Sequence, residues 1–308
     1  MSTGMYTTQA PAKINLDLRI ADVRPDGYHE LVTVFQSLAL ADVLTLVPWN
    51  GAFGLSCATP GVPTDPSNLA WRGAAAVAGA SGRTLDGWRL YLNKRVPAEA
   101  GLGGGSADAV AAARLLLAAW GEHWPDERLR DVLAPLGADV AYFVAGGTAR
   151  GRGRGDRLEA LPDVPRMSVL VVRPDIGVST RDAYAWFDRA PPPEPAGPFA
   201  VPADPSGWPF AWGRCRNDLQ PPVQARHPVI ADAATRLRAA GADLAMMSGS
   251  GSAVFGLFID ADTHRRAALD WPPGWQVWLT HTLSAAAYRR ATEVVGRARP
   301  LSQRRTVV

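Results

Sequence analysis

Residues 97–109 read PAEAGLGGGSADA, with glycine at 101, 103, 104 and 105 directly ahead of a long run of small helix-forming residues. Glycine carries no Cβ, so this stretch permits positive φ and lets another group come close to the backbone. The segment SADAVAAARLLLAAW predicts a helix stopped by Gly121, with Ser106 placed to cap it and Asp108 placed for a favourable charge–dipole contact. A helix opening on bare glycine presents unpaired N–H groups and the positive end of its dipole, which together suit a phosphate. The stretch is not a Walker loop, because no Gly-Lys-Ser/Thr follows, and Ser106 breaks G-x-G-x-x-G. On local chemistry alone a plain turn fits as well. A second loop, MSGSGSAVFG at 247–256, sets Ser248, Gly249, Ser250 and Gly251 between two strand-like stretches, and two such loops favour a nucleotide pocket more than either does singly.

At 308 residues the chain exceeds what one core usually organises, so two domains sharing a cleft are expected. The composition shifts near Pro165, giving 1–165 with the glycine loop and 166–308 beyond it. TTQAPAKINLDLRI predicts a strand interrupted at Pro11, whose missing N–H suits an edge or bulge. ELVTVFQSLALADVLTLVP predicts two strands joined near Ala41 and Asp42, and SNLAWRGAAAVAGA a helix capped by Ser67 or Asn68. The proline-rich stretch 190–213 predicts a loop or lid. Helices and strands mix without a strict βαβ rhythm, which places the chain in the α+β class.

The charge balance of +3 gathers partly near the C-terminus and does not by itself imply nucleic acid. No apolar run reaches the roughly 18 residues of a membrane span, and the N-terminus lacks a secretory pattern, so a cytoplasmic protein without membrane partners is expected. Cys57 and Cys215 lack metal or redox spacing and read as buried free thiols. His123, His227, His264 and His281 form no ligand-spaced cluster, so no structural metal is predicted. ARGRGRGDR at 149–157 could track RNA phosphates, but a hairpin with solvated arginines is the simpler reading.

PAKINL, GLGGGSADA and SGSGSAVFG, in that order and at these separations, resemble the three signature motifs of the kinase superfamily that includes galactokinase, homoserine kinase and mevalonate kinase. Within it, RPDGYHELVTVFQSL resembles the cytidine-recognition segment of the branch that acts on a cytidine diphosphate sugar alcohol in non-mevalonate isoprenoid synthesis. LGADVAYFVAGGTARGRG and RNDLQ extend the likeness over nearly the whole chain, with the proline-rich insert matching least. The resemblance implies an N-terminal domain like the second domain of ribosomal protein S5, a C-terminal ferredoxin-like domain, and ATP-dependent phosphorylation of a hydroxyl in the cleft between them. ATP is then the co-substrate, Mg2+ arrives with it, and Ser106 is a candidate magnesium contact. The partners implied are the two small molecules and not nucleic acid; the oligomeric state stays open.

By position, Lys13 and Asp139 match the family's catalytic pair, and Asn15 a nearby polar contact. Tyr28 and His29 match the cytosine contacts, and Tyr184 from DAYAWF the other face of a cytosine sandwich. Gly101, Leu102, Gly103, Gly104, Gly105 and Ser106 match the ATP phosphate loop, joined by Ser248 and Gly249. Without the resemblance, Asp139 after Gly137 and Ala138 fits a turn or helix cap, and Lys13 an exposed strand lysine. Glu99 stands where the family has a small residue, and is expected to face solvent, since a carboxylate turned toward triphosphate would repel it.

Overall fold

The computed structural model describes residues 4–190, 202–268 and 270–298. Residues 191–201 of the proline-rich stretch and the tail beyond 298 lie outside them. The chain opens with two 20-residue strands, β1 (Gly4–Val23) and β2 (His29–Pro48), paired antiparallel. Pro11 does not interrupt β1. The register shifts between Pro11 and Lys13, which accommodates the missing donor as a bulge.

The joint expected at Ala41 and Asp42 is absent, because β2 runs unbroken while its outer neighbour changes. Next come β3 (Gly54–Cys57), α1 (Leu69–Ser81), β4 (Trp88–Asn93), α2 (Gly104–Trp120), α3 (Asp126–Leu133), α4 (Val140–Ala145), β5 (Thr148–Gly153) and β6 (Arg157–Ala160). Leu31–Gln36 of β2 pairs with β5, whereas Val43–Pro48 pairs with β4. Asn68 caps α1 by accepting from Ala70 N, as the sequence implied.

The second sheet is built from β7 (Ser168–Arg173), α5 (Thr180–Phe187), α6 (Trp208–Ala211), α7 (Gln220–Arg226), α8 (Pro228–Ala239), β8 (Leu244–Met247), β9 (Val254–Phe258), α9 (Ala261–Ala267) and β10 (Gln276–His281). Its antiparallel order, β10-β7-β9-β8, is the ferredoxin-like arrangement. After α10 (Ala285–Ala291) the chain returns to the first sheet, where β11 (Val295–Ala298) pairs with β1. The division near Pro165 is therefore proposed for the change of sheet, with β11 crossing it. Cys57 and Cys215 are free and half-buried rather than fully buried, and burial pushes the Cys215 thiol up to about 12.

Three apolar layers hold these parts. One lies between the first sheet and α1, α2 and α4. A second joins Ala12, Ile14 and Leu16 of β1 to Val169, Val171, Phe255 and Leu257 of the second sheet, so the two sheets share a core. The third packs α8 onto the far face of the second sheet.

What sets α2, and hence the glycine loop, is a close helix crossing and a buried charge cluster. A Cβ at Gly73 of α1 would lie 2.3 Å from Ala109 O of α2, so only glycine permits this approach. Near the start of α2, Lys94 Nζ reaches Asp42 Oδ2 at 2.5 Å and Asp108 Oδ2 at 3.0 Å, while Asp42 Oδ1 accepts from Arg95 N and Val96 N. Asp108 thus serves as a buried partner of Lys94 and not as a first-turn dipole contact. Burial, opposed by Lys94 and reinforced by Asp42, raises its proton affinity well above the ordinary carboxylate value of 3.8. Burial alone would depress the Lys94 ammonium, but the two carboxylates outweigh it and hold its pKa up.

Two outcomes follow. Gly73→Ala should lower stability by about 2 kcal/mol through overpacking, whereas Gly79→Ala on the same helix, with open space at its Cβ, should raise it slightly; denaturant titration of both compares them. The fold binds the Asp108 proton more tightly than the unfolded chain does. That contribution is complete below the unfolded pKa and is lost as pH rises through it toward the folded value. Asp108→Asn removes it, so the variant's melting temperature should fall less than the parent's as pH rises above the ordinary carboxylate range.

Candidate active site

Gly101 and Gly103 take φ of +72° and +70°, and α2 begins at Gly104 with Gly103 in the N-cap position. Ser106 does not cap the helix. With Gly103 at the cap, Ser106 is the third helical residue, and a Cβ at Gly137 would lie 3.9 Å from its Oγ. The first intrahelical bond runs from Ala107 N to Gly103 O, which leaves the N–H groups of Gly104, Gly105 and Ser106 without helical partners.

The four glycines differ in purpose. Gly101 and Gly103 turn the chain, whereas Gly104 and Gly105 are helical and make room for neighbours. A Cβ on Gly104 would lie 3.1 Å from Lys94 Nζ, and one on Gly105 3.0 Å from Leu69 Cδ1. Glu99 is exposed, as expected, and takes a φ of +52°.

Lys13 is 4% exposed, so the exposed-strand reading of this residue is excluded. Its N–H donates to Leu102 O at 3.0 Å, beside the register shift in β1. Its Nζ donates to Asn15 Oδ1 at 2.8 Å and Gly101 O at 2.9 Å, and lies 3.5 Å from Asp139 Oδ2. Asn15 in turn donates to Thr33 Oγ1 at 2.7 Å, and Thr33 Oγ1 donates to Asp17 O. Asp139 stands just before α4, but its side chain makes no capping bond, which excludes the cap reading. Its carboxylate is about one-third exposed, so it faces both the ammonium and open space.

The β8–β9 turn closes the site from the second sheet. Ser248 Oγ donates to Gly101 O at 2.9 Å, and a Cβ on Gly249 would lie 3.3 Å from Lys13 Nζ. Asn217 Nδ2 donates to Met247 O and Gly249 O, both at 2.8 Å, fixing that turn. Sequence reasoning missed Asn217 although its segment, RNDLQ, stood out. It also missed Phe143, whose ring would touch a Cβ on Gly103 at 2.6 Å.

The candidate base-binding residues sit where β1 turns into β2. His29 lies 2.8 Å through Nε2 from Asp188 Oδ1, and its ring stacks on Tyr184 with centroids 5.6 Å apart. Phe187 meets the same imidazole edge-on. Tyr28 is 57% exposed and makes no direct ring contact with Tyr184 among the described residues. Burial, with the charge of Asp139, pushes the Tyr184 phenol up to about 12. The structure thus gathers Lys13, Asn15, Asp139, Gly101, Leu102, Gly103, Ser248 and Gly249 at one end, with Tyr28, His29 and Tyr184 at the other.

Residues 68–147 match the model for the N-terminal domain of GHMP kinases, and residues 211–273 the model for their C-terminal domain. The chain is 39% identical over 285 residues to the 4-diphosphocytidyl-2-C-methyl-D-erythritol kinase of Desulfitobacterium hafniense, covering 89% of this chain and 94% of the relative. It is 41% identical over 277 residues to the enzyme of that name from Paracoccus denitrificans, covering 87% and 93%. A crystal structure of 4-(cytidine 5'-diphospho)-2C-methyl-D-erythritol kinase superposes with a TM-score of 0.73 at 35% identity, covering 90% of this chain and 98% of that one. A homoserine kinase from Cytophaga hutchinsonii shares the fold, with a TM-score of 0.71 at 18% identity over 96% of this chain and 98% of that one. At this identity and coverage, the chain belongs to the 4-diphosphocytidyl-2-C-methyl-D-erythritol kinase family of GHMP kinases.

Proposed function

We propose that the chain transfers the γ-phosphoryl group of ATP to the 2-hydroxyl of 4-diphosphocytidyl-2-C-methyl-D-erythritol, a step of non-mevalonate isoprenoid precursor synthesis. Lys13 carries this reading: it is buried between the glycine loop and the carboxylate of Asp139. Phosphoryl transfer asks for alignment and charge neutralisation more than for covalent help. The free N–H groups at the start of α2 receive the phosphates. Asp139 accepts the proton of the acceptor hydroxyl, and the Lys13 ammonium, 3.5 Å from its Oδ2, steadies the charge growing on that oxygen.

Asn15 orients Lys13 through the 2.8 Å bond to its Nζ. At the far end, Tyr28 stacks on the cytosine, and His29, held by Asp188 and backed by Tyr184, bonds the base edge. Among the described residues no group of three His, Cys, Asp or Glu side chains is placed to hold a metal ion. Magnesium would arrive bound to the nucleotide and supply charge neutralisation of the phosphates, with Ser106 as the hydroxyl offered by the first turn of α2. The partners this reading calls for are the two small molecules, ATP and the cytidyl substrate. No described helix is long and apolar enough to cross a membrane, and a cytoplasmic setting completes the reading.

The test is transfer of labelled γ-phosphate from ATP to the cytidyl substrate by purified protein. Asp139→Asn should lower kcat by about 100-fold or more while ATP affinity stays within a few-fold, and Lys13→Ala should lower kcat comparably. Unimpaired turnover by Asp139→Asn, or phosphorylation of mevalonate in place of the cytidyl compound, would overturn the proposal.

A further inference from the structure

The glycine-spaced arginines at 149–157 have no part in the phosphoryl-transfer end, and their three side chains meet different fates. Arg150 pairs with Glu159 across the β5–β6 ladder, where the two stand in register. Arg152 is exposed on β5, opposite Arg157. Arg154 leaves the ladder at the β5–β6 turn, and its guanidinium carbon lies 5.2 Å from the centroid of the Tyr28 ring.

The glycines of this run build the turn that carries Arg154 there. Gly153 and Gly155 take φ of +73° and +97° on either side of it. A Cβ on Gly151 would lie 2.8 Å from Phe35 Cε2 and 3.1 Å from Gly155 Cα, so the turn folds flat against β2. Gly155 N donates to Arg152 O at 3.0 Å, and Arg154 N donates to Asp156 Oδ1 at 3.1 Å.

This turn is then fastened to the one that bears Tyr28. Glu30 accepts from Gly153 N through Oε1 and from Arg24 Nη1 through Oε2, both at 2.9 Å. Arg24 also pairs with Asp26, and Asp26 Oδ1 accepts from Tyr28 N at 3.2 Å. The backbone of both turns is therefore held in a fixed relation, whereas the Tyr28 ring itself stands more than half exposed.

We propose that Arg154 is a positioning residue for the nucleobase end of the site: its guanidinium covers one face of Tyr28 and thereby presents the opposite face to the cytosine. An exposed phenol ring must give up rotamer freedom when a base stacks on it, and a cation already lying over one face removes part of that cost beforehand. A guanidinium suits the task better than an ammonium, since it is flat, permanently charged and weakly hydrated. The effect falls on the cytidyl substrate alone, because neither Arg154 nor Tyr28 touches the glycine loop. The proposal rests on Tyr28 being a base contact.

Steady-state kinetics on Arg154→Ala, Arg154→Lys, Tyr28→Ala and the Arg154→Ala/Tyr28→Ala double variant test it, with Arg152→Ala as the control from the same hairpin. Arg154→Ala should raise KM for the cytidyl substrate about five-fold, with kcat and KM for ATP unchanged, and Arg154→Lys should recover only part of the loss. The double variant should be no worse than Tyr28→Ala alone, and Arg152→Ala should match the parent. An unchanged KM in Arg154→Ala, full recovery by lysine, or effects that multiply in the double variant would each defeat the proposal while leaving Tyr28 as a base contact. An unchanged KM in Tyr28→Ala instead defeats the base-contact reading, and this proposal with it.

Discussion

One backbone carbonyl, that of Gly101, binds the site together. It accepts from Lys13 Nζ and from Ser248 Oγ, each at 2.9 Å, and so joins the first strand, the glycine loop and the turn of the second sheet. A Cβ at position 101 would lie 2.0 Å from Ser248 O, so no other residue allows the two loops to meet. Donors and acceptors this deeply placed cost about 1–3 kcal/mol each when left unmatched, which makes the junction an all-or-none arrangement. Lys13, satisfied by Gly101 O and Asn15, keeps a longer contact with Asp139 on the open side.

The long β1–β2 hairpin gives that junction its reach. Lys13 and Asn15 lie midway along β1, and Tyr28 and His29 lie at the turn that ends it, so a single element carries both ends of the site. Because Ala12, Ile14 and Leu16 are buried against the second sheet, the strand that holds Lys13 is also the strand that joins the two sheets. The Asp42–Lys94–Asp108 cluster and the Gly73 crossing then lock α2 onto this frame from behind.

Local signals in the sequence were legible where local physics decides. Asn68 as a cap, Gly121 as a helix stop, and two hydroxyl-rich glycine loops all follow from backbone preferences that need no partner. The break expected within β2 failed because Asp42, disfavoured in a strand, is held by Arg95 N, Val96 N and Lys94. Ser106 failed as a cap because a glycine in the left-handed region one turn earlier already starts the helix. Gly104 and Gly105 owe their identity to Lys94, Val96 and Leu69, neighbours that no local pattern reveals.

By itself, then, the amino-acid order determined the chemistry on offer: bare amides ahead of a helix, one lysine and one aspartate in motifs that resemble a kinase pair, and aromatics in a turn. Only the tertiary structure decided which of these meet. Burial of Lys13, the missing capping bond of Asp139, the stacking of Tyr184 on His29 and the return of β11 to β1 all depend on residues far apart in the chain. Backbone propensity acts over a few residues, whereas desolvation and close packing act between surfaces that exist only once the two sheets have come together.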